Sequence, residues 1–401
     1  MRASWTHKKI VFLENEEMAM IQLGQITITK QDGQEVIRKI ETLSIDVTEM
    51  EKQGHAHFML KELSEAPAIM GESFFNNTLS YFDQWKNIHR LIFVGCGGGY
   101  YASLYGAFLA EKYLSLSSQA VSGSEFRYQD FVLDAQTLVV LVSQSGETAD
   151  TLAALRKAKQ ASAQTVAFVN VMESAIARET DRVIPLGVGP EIAVASTKAM
   201  HGMIRSLISF VHEWSLWKGG EGIPNFFKEH ARLSNNMKCV LAQQDKIKQL
   251  AQKYLEIKHF LILGRGGEFS AAKEGALKFM EIAYTPAQAF SSGELKHGPL
   301  ALIDEQALSL FLIPKDGLYE KNLISIQEVQ ARGGHMIALT TEGNHELDNL
   351  VDEVIFLPKT TEVFHPILSI FVLQFFAYYL AVFKGFPVDQ PRNLAKSVTV
   401  E

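Results

Sequence analysis

Two distant stretches of this chain carry one pattern. LIFVGCGGGYYASLYGAFL from Leu91 lines up with FLILGRGGEFSAAKEGALK from Phe260. Gly95, Gly97, Gly98, Ala102, Gly106 and Ala107 meet Gly264, Gly266, Gly267, Ala271, Gly275 and Ala276. Each stretch is an apolar run, a glycine turn and a helical segment with small residues on one face. The runs that follow keep the same order. Leu91–Val94, Thr137–Val142, Thr165–Val169 and Val183–Leu186 are answered by His259–Leu263, Leu308–Ile313, Met336–Leu339 and Val354–Leu357. Continuous apolar, β-branched runs alternating with helices imply parallel sheets covered on both faces. The chain is therefore read as α/β, with two doubly wound parallel-sheet domains related by internal duplication.

That pattern divides the 401 residues. Residues 1–50 form a short β-rich segment, with β-prone runs at Ile10–Leu13, Met20–Leu23 and Ile26–Thr29 and a hairpin turn signal at Asp32-Gly33. Residues 55–217 make the first domain, 218–246 a linker, 247–390 the second domain and 391–401 a polar tail. Ile367–Phe383 is apolar except for Ser369 and Gln374, and it sits at the lower edge of the length a bilayer needs. No second such segment exists, so it is read as a helix buried in a large core, with no membrane as partner.

Composition narrows the function classes. Lys plus Arg is 38 against 45 for Asp plus Glu, a net charge of −7. This offers no basic surface for nucleic acid. Cys96 and Cys239 are too few for a disulfide framework or a four-cysteine zinc site. MRASWTHKKI contains no apolar signal core, so a cytoplasmic location is expected.

The sharpest local signal is Ser143-Gln144-Ser145-Gly146-Glu147-Thr148, between the strand LVVLV and the helix DTLAALRKAK. Ligands of parallel sheets sit beyond the carboxyl ends of strands, where helix N-termini present free N–H groups. Three hydroxyls around one glycine make a phosphate cradle and exceed what a simple helix cap needs. The corresponding turn of the second half, Pro314-Lys315-Asp316-Gly317, puts an acid there instead, so one phosphate site per chain is expected. The second half carries titratable groups: Glu274, Lys278 and Glu281 on EGALKFME, and His297 in SSGELKHGPL. By composition alone, Lys278 and Glu281 read sooner as a surface ion pair, and His297 as an ordinary loop residue, than as site groups. The loop Gly187–Glu191 followed by Val194–Ala199 is another loop entering a helix, with Ser196 and Thr197 at the cap. It is balanced between a structural helix start and a site contact.

HFMLKEL, VSQSGETADTLAALRKAK, EIAVASTKAM, LGRGGEFSAAKEGALKFMEIAY, SSGELKHGPLALID, QARGG and DQPRNLAKSVTVE together resemble the isomerase half of the glutamine–fructose-6-phosphate aminotransferase family. They span His57 to Glu401 in the family's order. SQSGET alone would indicate only the wider sugar-isomerase (SIS) group, whereas ELKHGPLALID with NLAKSVTVE is far more specific. The resemblance implies two flavodoxin-like SIS domains, a sugar-phosphate substrate, no cofactor and no metal. It matches Ser143, Gln144, Ser145 and Thr148 to the phosphate loop, and Val194, Ser196 and Ala395 to sugar contacts. It also matches Glu281 to the base that moves a proton between C1 and C2, and Lys396 to the lysine that forms an imine with the open-chain ketose. Lys278 matches a nearby helper, and His297 a ring-opening residue donated across a homodimer.

Two departures bear on function. The family's glutaminase domain begins with a nucleophilic cysteine, which this sequence does not show, and KKIVFLENEEMAMIQLGQITITKQDGQEV resembles only the last strands of that domain. The expected chemistry is conversion of fructose 6-phosphate to glucosamine 6-phosphate with free ammonia, or with ammonia from a separate glutaminase. At Gly98 and Gly99 the family usually has Thr-Ser, so two side-chain hydrogen bonds to sugar are lost, each worth roughly 0.5–1.5 kcal/mol. The alternatives are a stand-alone amino-sugar-phosphate deaminase or ketose–aldose isomerase, and a non-catalytic phosphosugar sensor.

Overall fold

The computed structural model describes residues 9–14, 16–42, 51–72 and 79–400. The first eight residues, which bear on the N-terminal reading, and Glu401 lie outside the described residues. Met1–Gly54 and His55–Glu401 are two compact units.

In the first unit, β1 (Lys9–Ile10) pairs antiparallel with β4 (Glu41–Thr42), and β2 (Glu17–Gln22) with β3 (Gln25–Lys30). The β2–β3 reversal falls at Leu23-Gly24, where Gly24 has φ 81°. This left-handed conformation suits glycine. Asp32-Gly33 makes the next reversal: Gly33 N–H donates to the Lys30 carbonyl at 2.9 Å, and Thr29 then bridges to Glu35. Of the run Ile10–Leu13, only Ile10 is in a strand.

The second unit opens with α1 (Phe58–Gly71) and α2 (Leu79–Phe82). The first sheet then alternates β5 (Arg90–Gly95), α3 (Gly98–Leu114), β6 (Ser117–Ser122), α4 (Gly123–Phe126), β7 (Thr137–Ser143), α5 (Ala149–Gln160), β8 (Gln164–Val169), α6 (Ala175–Glu179) and β9 (Arg182–Pro185), closed by α7 (Lys198–Trp217). Its strand order is β6-β5-β7-β8-β9, all parallel. The segment read as a linker folds into α8 (Phe226–Leu241), followed by α9 (Gln244–Lys253).

The second sheet repeats the plan: β10 (His259–Gly264), α10 (Gly267–Ala283), β11 (Ala287–Ser291), β12 (Ala307–Leu312), α11 (Tyr319–Gln330), β13 (His335–Thr341), β14 (Glu353–Leu357) and α12 (His365–Phe383). Its order, β11-β10-β12-β13-β14, is again parallel and matches the first strand for strand. This is the doubly wound, flavodoxin-like order that the duplication predicts. Every residue of the central strands β7 and β12 is buried, as strands covered on both faces must be.

The two halves share one core. It runs from Phe93 and Leu207 in the first half through Phe260, Phe279 and Phe376 in the second. The apolar segment of the sequence analysis is α12, with mean hydropathy 2.0 and 89% of its most apolar window buried. Its polar exceptions have core partners. Gln374 Oε1 lies 2.8 Å from His201 Nε2 of α7, its Nε2 donates to the Thr197 carbonyl at 3.3 Å, and Ser369 Oγ lies 3.4 Å from His365 Nδ1. Gly275, one of the duplicated glycines, lets α10 meet α12 at close range: a β-carbon there would lie 2.4 Å from Leu373 Cδ1.

Candidate active site

A cavity of about 200 Å³ opens beyond the carboxyl ends of β5 and β7. Chain progression reverses between these strands, β5 leading outward to β6 and β7 to β8, which is the switch point where such sheets bind ligands. Cys96–Gly99 after β5 and Val142–Ser145 after β7 form its floor, with Thr148, Val194 and Ser196. The second half adds Lys278 and Glu281 from α10, and the tail adds Ala395, Lys396 and Val398. Of the residues matched to site roles by resemblance, His297 is left out, and Glu274 and Thr197, also singled out by sequence, lie behind the lining. His297 is exposed at the end of a 3₁₀ turn, Ser292–His297, and does not line the cavity.

The hydroxyl loop is built by its own backbone. Gly146 N–H donates to Ser143 Oγ at 3.0 Å and Glu147 N–H to Ser145 Oγ at 3.2 Å. Gly146 has φ 65°, and a β-carbon there would lie 2.0 Å from Ser174 Oγ, so the turn requires glycine. Because both serines accept from the loop, their hydroxyl protons remain to be donated. Thr148 is the N-cap of α5, yet its side chain makes no capping bond. The simple-cap explanation therefore fails for Thr148. Ser196 Oγ, also in the wall, is buried and finds no hydrogen-bond partner among the described residues.

Gly98 and Gly99 begin α3. A β-carbon on Gly99 would lie 2.5 Å from the Val142 carbonyl oxygen, so the helix start packs against β7 in a way that excludes a side chain. On Gly98 it would lie 3.1 Å from Glu274 Oε2. The two glycines thus differ: one is required by packing, the other leaves space beside a carboxyl group.

Lys278 and Glu281 are not a surface pair. The Lys278 side chain is 1% exposed, with Nζ 2.6 Å from Glu281 Oε2 and 3.2 Å from Glu274 Oε1. Burial pulls Lys278 down, but the carboxylates of Glu274 and Glu281 more than reverse this and hold it above the ordinary lysine value. Glu274 is fully buried, and burial pushes its carboxyl up to about 7 despite the opposing charge of Lys278.

Lys396 is tethered in the wall. Its Nζ donates to Glu191 Oε2 at 2.5 Å and to the Ala193 carbonyl at 2.8 Å. The tail carrying it is stitched down on either side. The Asp389 carbonyl accepts from Val194 N–H at 3.0 Å, and the Val398 carbonyl from Ala149 N–H at 3.0 Å. Asp389 Oδ1 and Oδ2 also accept from Met59 and Phe58 N–H at 3.0 and 2.9 Å, capping α1. The tail, read as polar, is thus a wall of the cavity.

Sequence reasoning missed Glu191, Glu62 and the structural part played by Thr197. Their one signal was a glutamate in the buried face of HFMLKEL and another just before a helix start.

The SIS domain family matches residues 85–212 and 253–384, one copy on each sheet. Two curated glutamine–fructose-6-phosphate aminotransferases [isomerizing] align with nearly the whole chain. That of Caldanaerobacter subterraneus subsp. tengcongensis is 36% identical and that of Thermus thermophilus 38%, each over 98% of this chain and 67% of its own length. This chain belongs to that family. It corresponds to the isomerase half, spanning about two thirds of the length of those relatives. The C-terminal domain of glucosamine-fructose-6-phosphate aminotransferase from Francisella tularensis superposes with TM-score 0.78 at 34% identity, covering 85% of this chain and all of that domain. A glucosamine-6-phosphate deaminase from Thermotoga maritima shares the fold, with TM-score 0.69 at 23% identity over 85% of this chain and 99% of its own.

Proposed function

We propose that this chain binds fructose 6-phosphate and converts it to glucosamine 6-phosphate when ammonia is supplied, or to glucose 6-phosphate when it is not. The observation that carries this reading is the meeting in one cavity of three elements from separate parts of the sequence: the hydroxyl loop, the Lys278–Glu281 pair and Lys396.

The loop anchors the phosphate through Ser143, Gln144, Ser145 and Thr148 and the N-terminus of α5, leaving C1 and C2 to reach α10. Val194, Ser196 and Ala395 flank the sugar. Lys396 adds to the C2 carbonyl and water leaves, giving an imine; ammonia then displaces the lysine. Glu281 takes a proton from C1 and returns it to C2, so C1 becomes the aldehyde and C2 carries the amine. Lys278, held between two carboxylates, steadies negative charge that develops on the sugar oxygen during the transfer. His297, remote from the cavity of its own chain, serves ring opening in the cavity of a second copy. Ammonia comes free from solution or from a glutaminase.

The test is to incubate the protein with fructose 6-phosphate and ammonium, then with glutamine, and assay both sugar products. Glucosamine 6-phosphate with ammonium but not with glutamine is expected, and Lys396→Ala should abolish it. Amination unchanged in Lys396→Ala would refute the imine role. Binding without any product would favour the sensor reading, and preferential ammonia release from glucosamine 6-phosphate the deaminase.

A further inference from the structure

Behind Lys396 lie two carboxyl groups that the proposed reaction has not yet used. Glu191 is 6% exposed and Glu62, from α1, is 2% exposed. They face one another across Thr197, whose Oγ1 lies 2.6 Å from Glu62 Oε2 and 3.0 Å from Glu191 Oε1. One hydroxyl proton cannot be donated to two carboxylates. The bonds balance if Glu62 keeps its own proton and donates it to Thr197, which then donates onward to Glu191. The remaining contacts fit that assignment. Glu62 Oε1 accepts from Ile192 and Ala193 N–H at 2.6 and 3.0 Å, as the carbonyl oxygen of a neutral acid can. Glu191 Oε1 accepts from Thr197 and Ala199 N–H at 2.8 and 2.9 Å, while its Oε2 holds Lys396, as a carboxylate would. The neighbouring cation Lys198 is taken by Glu65 at 2.8 Å.

We propose that Glu191 accepts the proton Lys396 must lose to form its imine, and that Glu62, neutral and joined to Glu191 through Thr197, is the positioning residue that keeps the pair at a single negative charge. This inference rests on the imine role proposed for Lys396. The step balances as follows. The Lys396 ammonium gives one proton to Glu191, and the freed lone pair bonds to C2 while the carbonyl pair withdraws to oxygen. A nitrogen-bound proton moves to that oxygen, giving the carbinolamine. Glu191 returns its proton to the hydroxyl, which leaves as water, and the positive charge ends on the iminium nitrogen. Burial and the Glu191 charge push Glu62 up to about 7, whereas Glu191, although burial opposes it, is drawn below the ordinary value by Lys396. Two full charges at these positions would repel each other in a water-poor site and pull Lys396 back from the cavity. One charge is what a reversible proton acceptor needs.

The experiment is timed borohydride trapping of the full chain with fructose 6-phosphate, the reduced sugar adduct on Lys396 being followed by mass spectrometry. Fructose 6-phosphate binding is measured in parallel by calorimetry. Glu191→Gln and Glu62→Ala should each slow adduct formation at least tenfold while changing the dissociation constant less than threefold. Glu62→Gln, which presents an N–H where the neutral acid has its O–H, should recover most of the rate lost in Glu62→Ala. Adduct formation undiminished in Glu191→Gln would overturn the proton-acceptor role, and failure of Glu62→Gln to recover the rate would overturn the neutral assignment. If Glu62→Ala does not fold, the isosteric Glu191→Gln still decides. No adduct on the wild-type chain would instead overturn the imine role of Lys396 itself, and with it this proposal.

Discussion

Replacing Glu274 with Gln should become steadily more favourable to stability, relative to wild type, between pH 5 and pH 8. The carboxyl is fully buried and sits at about 7 in the folded protein, against an ordinary value of 4.5. Burial is the main cause, with Lys278 opposing it. An acid raised on folding binds more protons folded than unfolded between those two values, so stability falls as pH rises through that window. Below about pH 4.5 the penalty is absent; above about 7 it is complete. At about 1.36 kcal/mol per pH unit, the 2.5 units between 4.5 and 7 amount to about 3 kcal/mol. Gln keeps the shape and carries no charge at any pH. It should be tolerated least, relative to wild type, at low pH, where Glu274 is neutral and as good a fit. At pH 8 the wild type carries the full penalty and Gln does not. With an unfolding entropy of about 2.1 cal/mol/K per residue over the roughly 350 residues of His55–Glu401, about 3 kcal/mol corresponds to about 4 °C. Because part of the loss has already occurred at pH 5, thermal unfolding of both proteins at pH 5 and pH 8 should show the variant gaining somewhat less, about 3 °C, on wild type between the two. The comparison cancels the oppositely signed contributions of His201 and His212, which burial lowers to about 4 and which titrate identically in both proteins. A Tm difference independent of pH would refute the charge-burial argument.

Two further outcomes follow from the cavity walls. Ser145→Ala and Thr148→Ala each remove a hydroxyl from the proposed phosphate loop; at about 1.5–3 kcal/mol for a hydrogen bond to a charged group, each should weaken fructose 6-phosphate binding roughly 10- to 100-fold, read by calorimetry, with little change in Tm. Gly99→Ala should lower stability by about 1–3 kcal/mol, since its β-carbon would meet the Val142 carbonyl at 2.5 Å, whereas Gly98→Ala, 3.1 Å from a carboxyl oxygen, should cost clearly less; equal losses in thermal unfolding would contradict the packing argument.

The fold was legible because its signals are long and redundant. Eight apolar runs, two glycine turns and matched helix faces agree with one another, and each alone would have been ambiguous. Ser369 and Gln374 did not mislead the reading of α12, because the fifteen other buried positions outweigh two polar ones that find partners inside. The site was legible in pieces. Three hydroxyls around Gly146 carry their own physical argument, since hydroxyl and backbone groups act locally. Lys278 and Glu281 do not. Their spacing fits a solvated helix face as well as a buried pair, and only the packing of α10 against α3 and α12 makes them interior. Lys396 is more extreme still, because nothing in a polar tail shows that Glu191, 205 residues earlier, holds its nitrogen. Contacts of that separation have no periodicity to reveal them. The joining segment was underestimated for a different reason: Gly219-Gly220 and Pro224 mark a break, but the break is short and α8 follows it.

The duplication also explains why one cavity, and not two, is suited to the proposed chemistry. In a doubly wound pair each half offers a loop after its third strand and a helix after its first strand. The cavity near β7 takes the loop of the first half and the helix α10 of the second. Its counterpart takes the loop Pro314–Gly317 of the second half with Tyr113 from the end of α3. The helix positions that correspond to Glu274, Lys278 and Glu281 are Tyr105, Leu109 and Lys112. Tyr105 spends its hydroxyl on the Val363 carbonyl at 2.5 Å, Leu109 is core, and Lys112 is paired with Glu362. In the loop, Asp316 and not a hydroxyl stands ready, with Glu362 in the same wall. Two acids repel a phosphate, and the lysine of that wall, Lys315, is held by Glu346 at 2.6 Å. Binding of fructose 6-phosphate should therefore saturate at one molecule per chain by calorimetry. Two equivalents, with the second surviving Ser145→Ala, would mean that the second half kept a phosphate site despite its acids, and that the division of labour between the halves is not electrostatic.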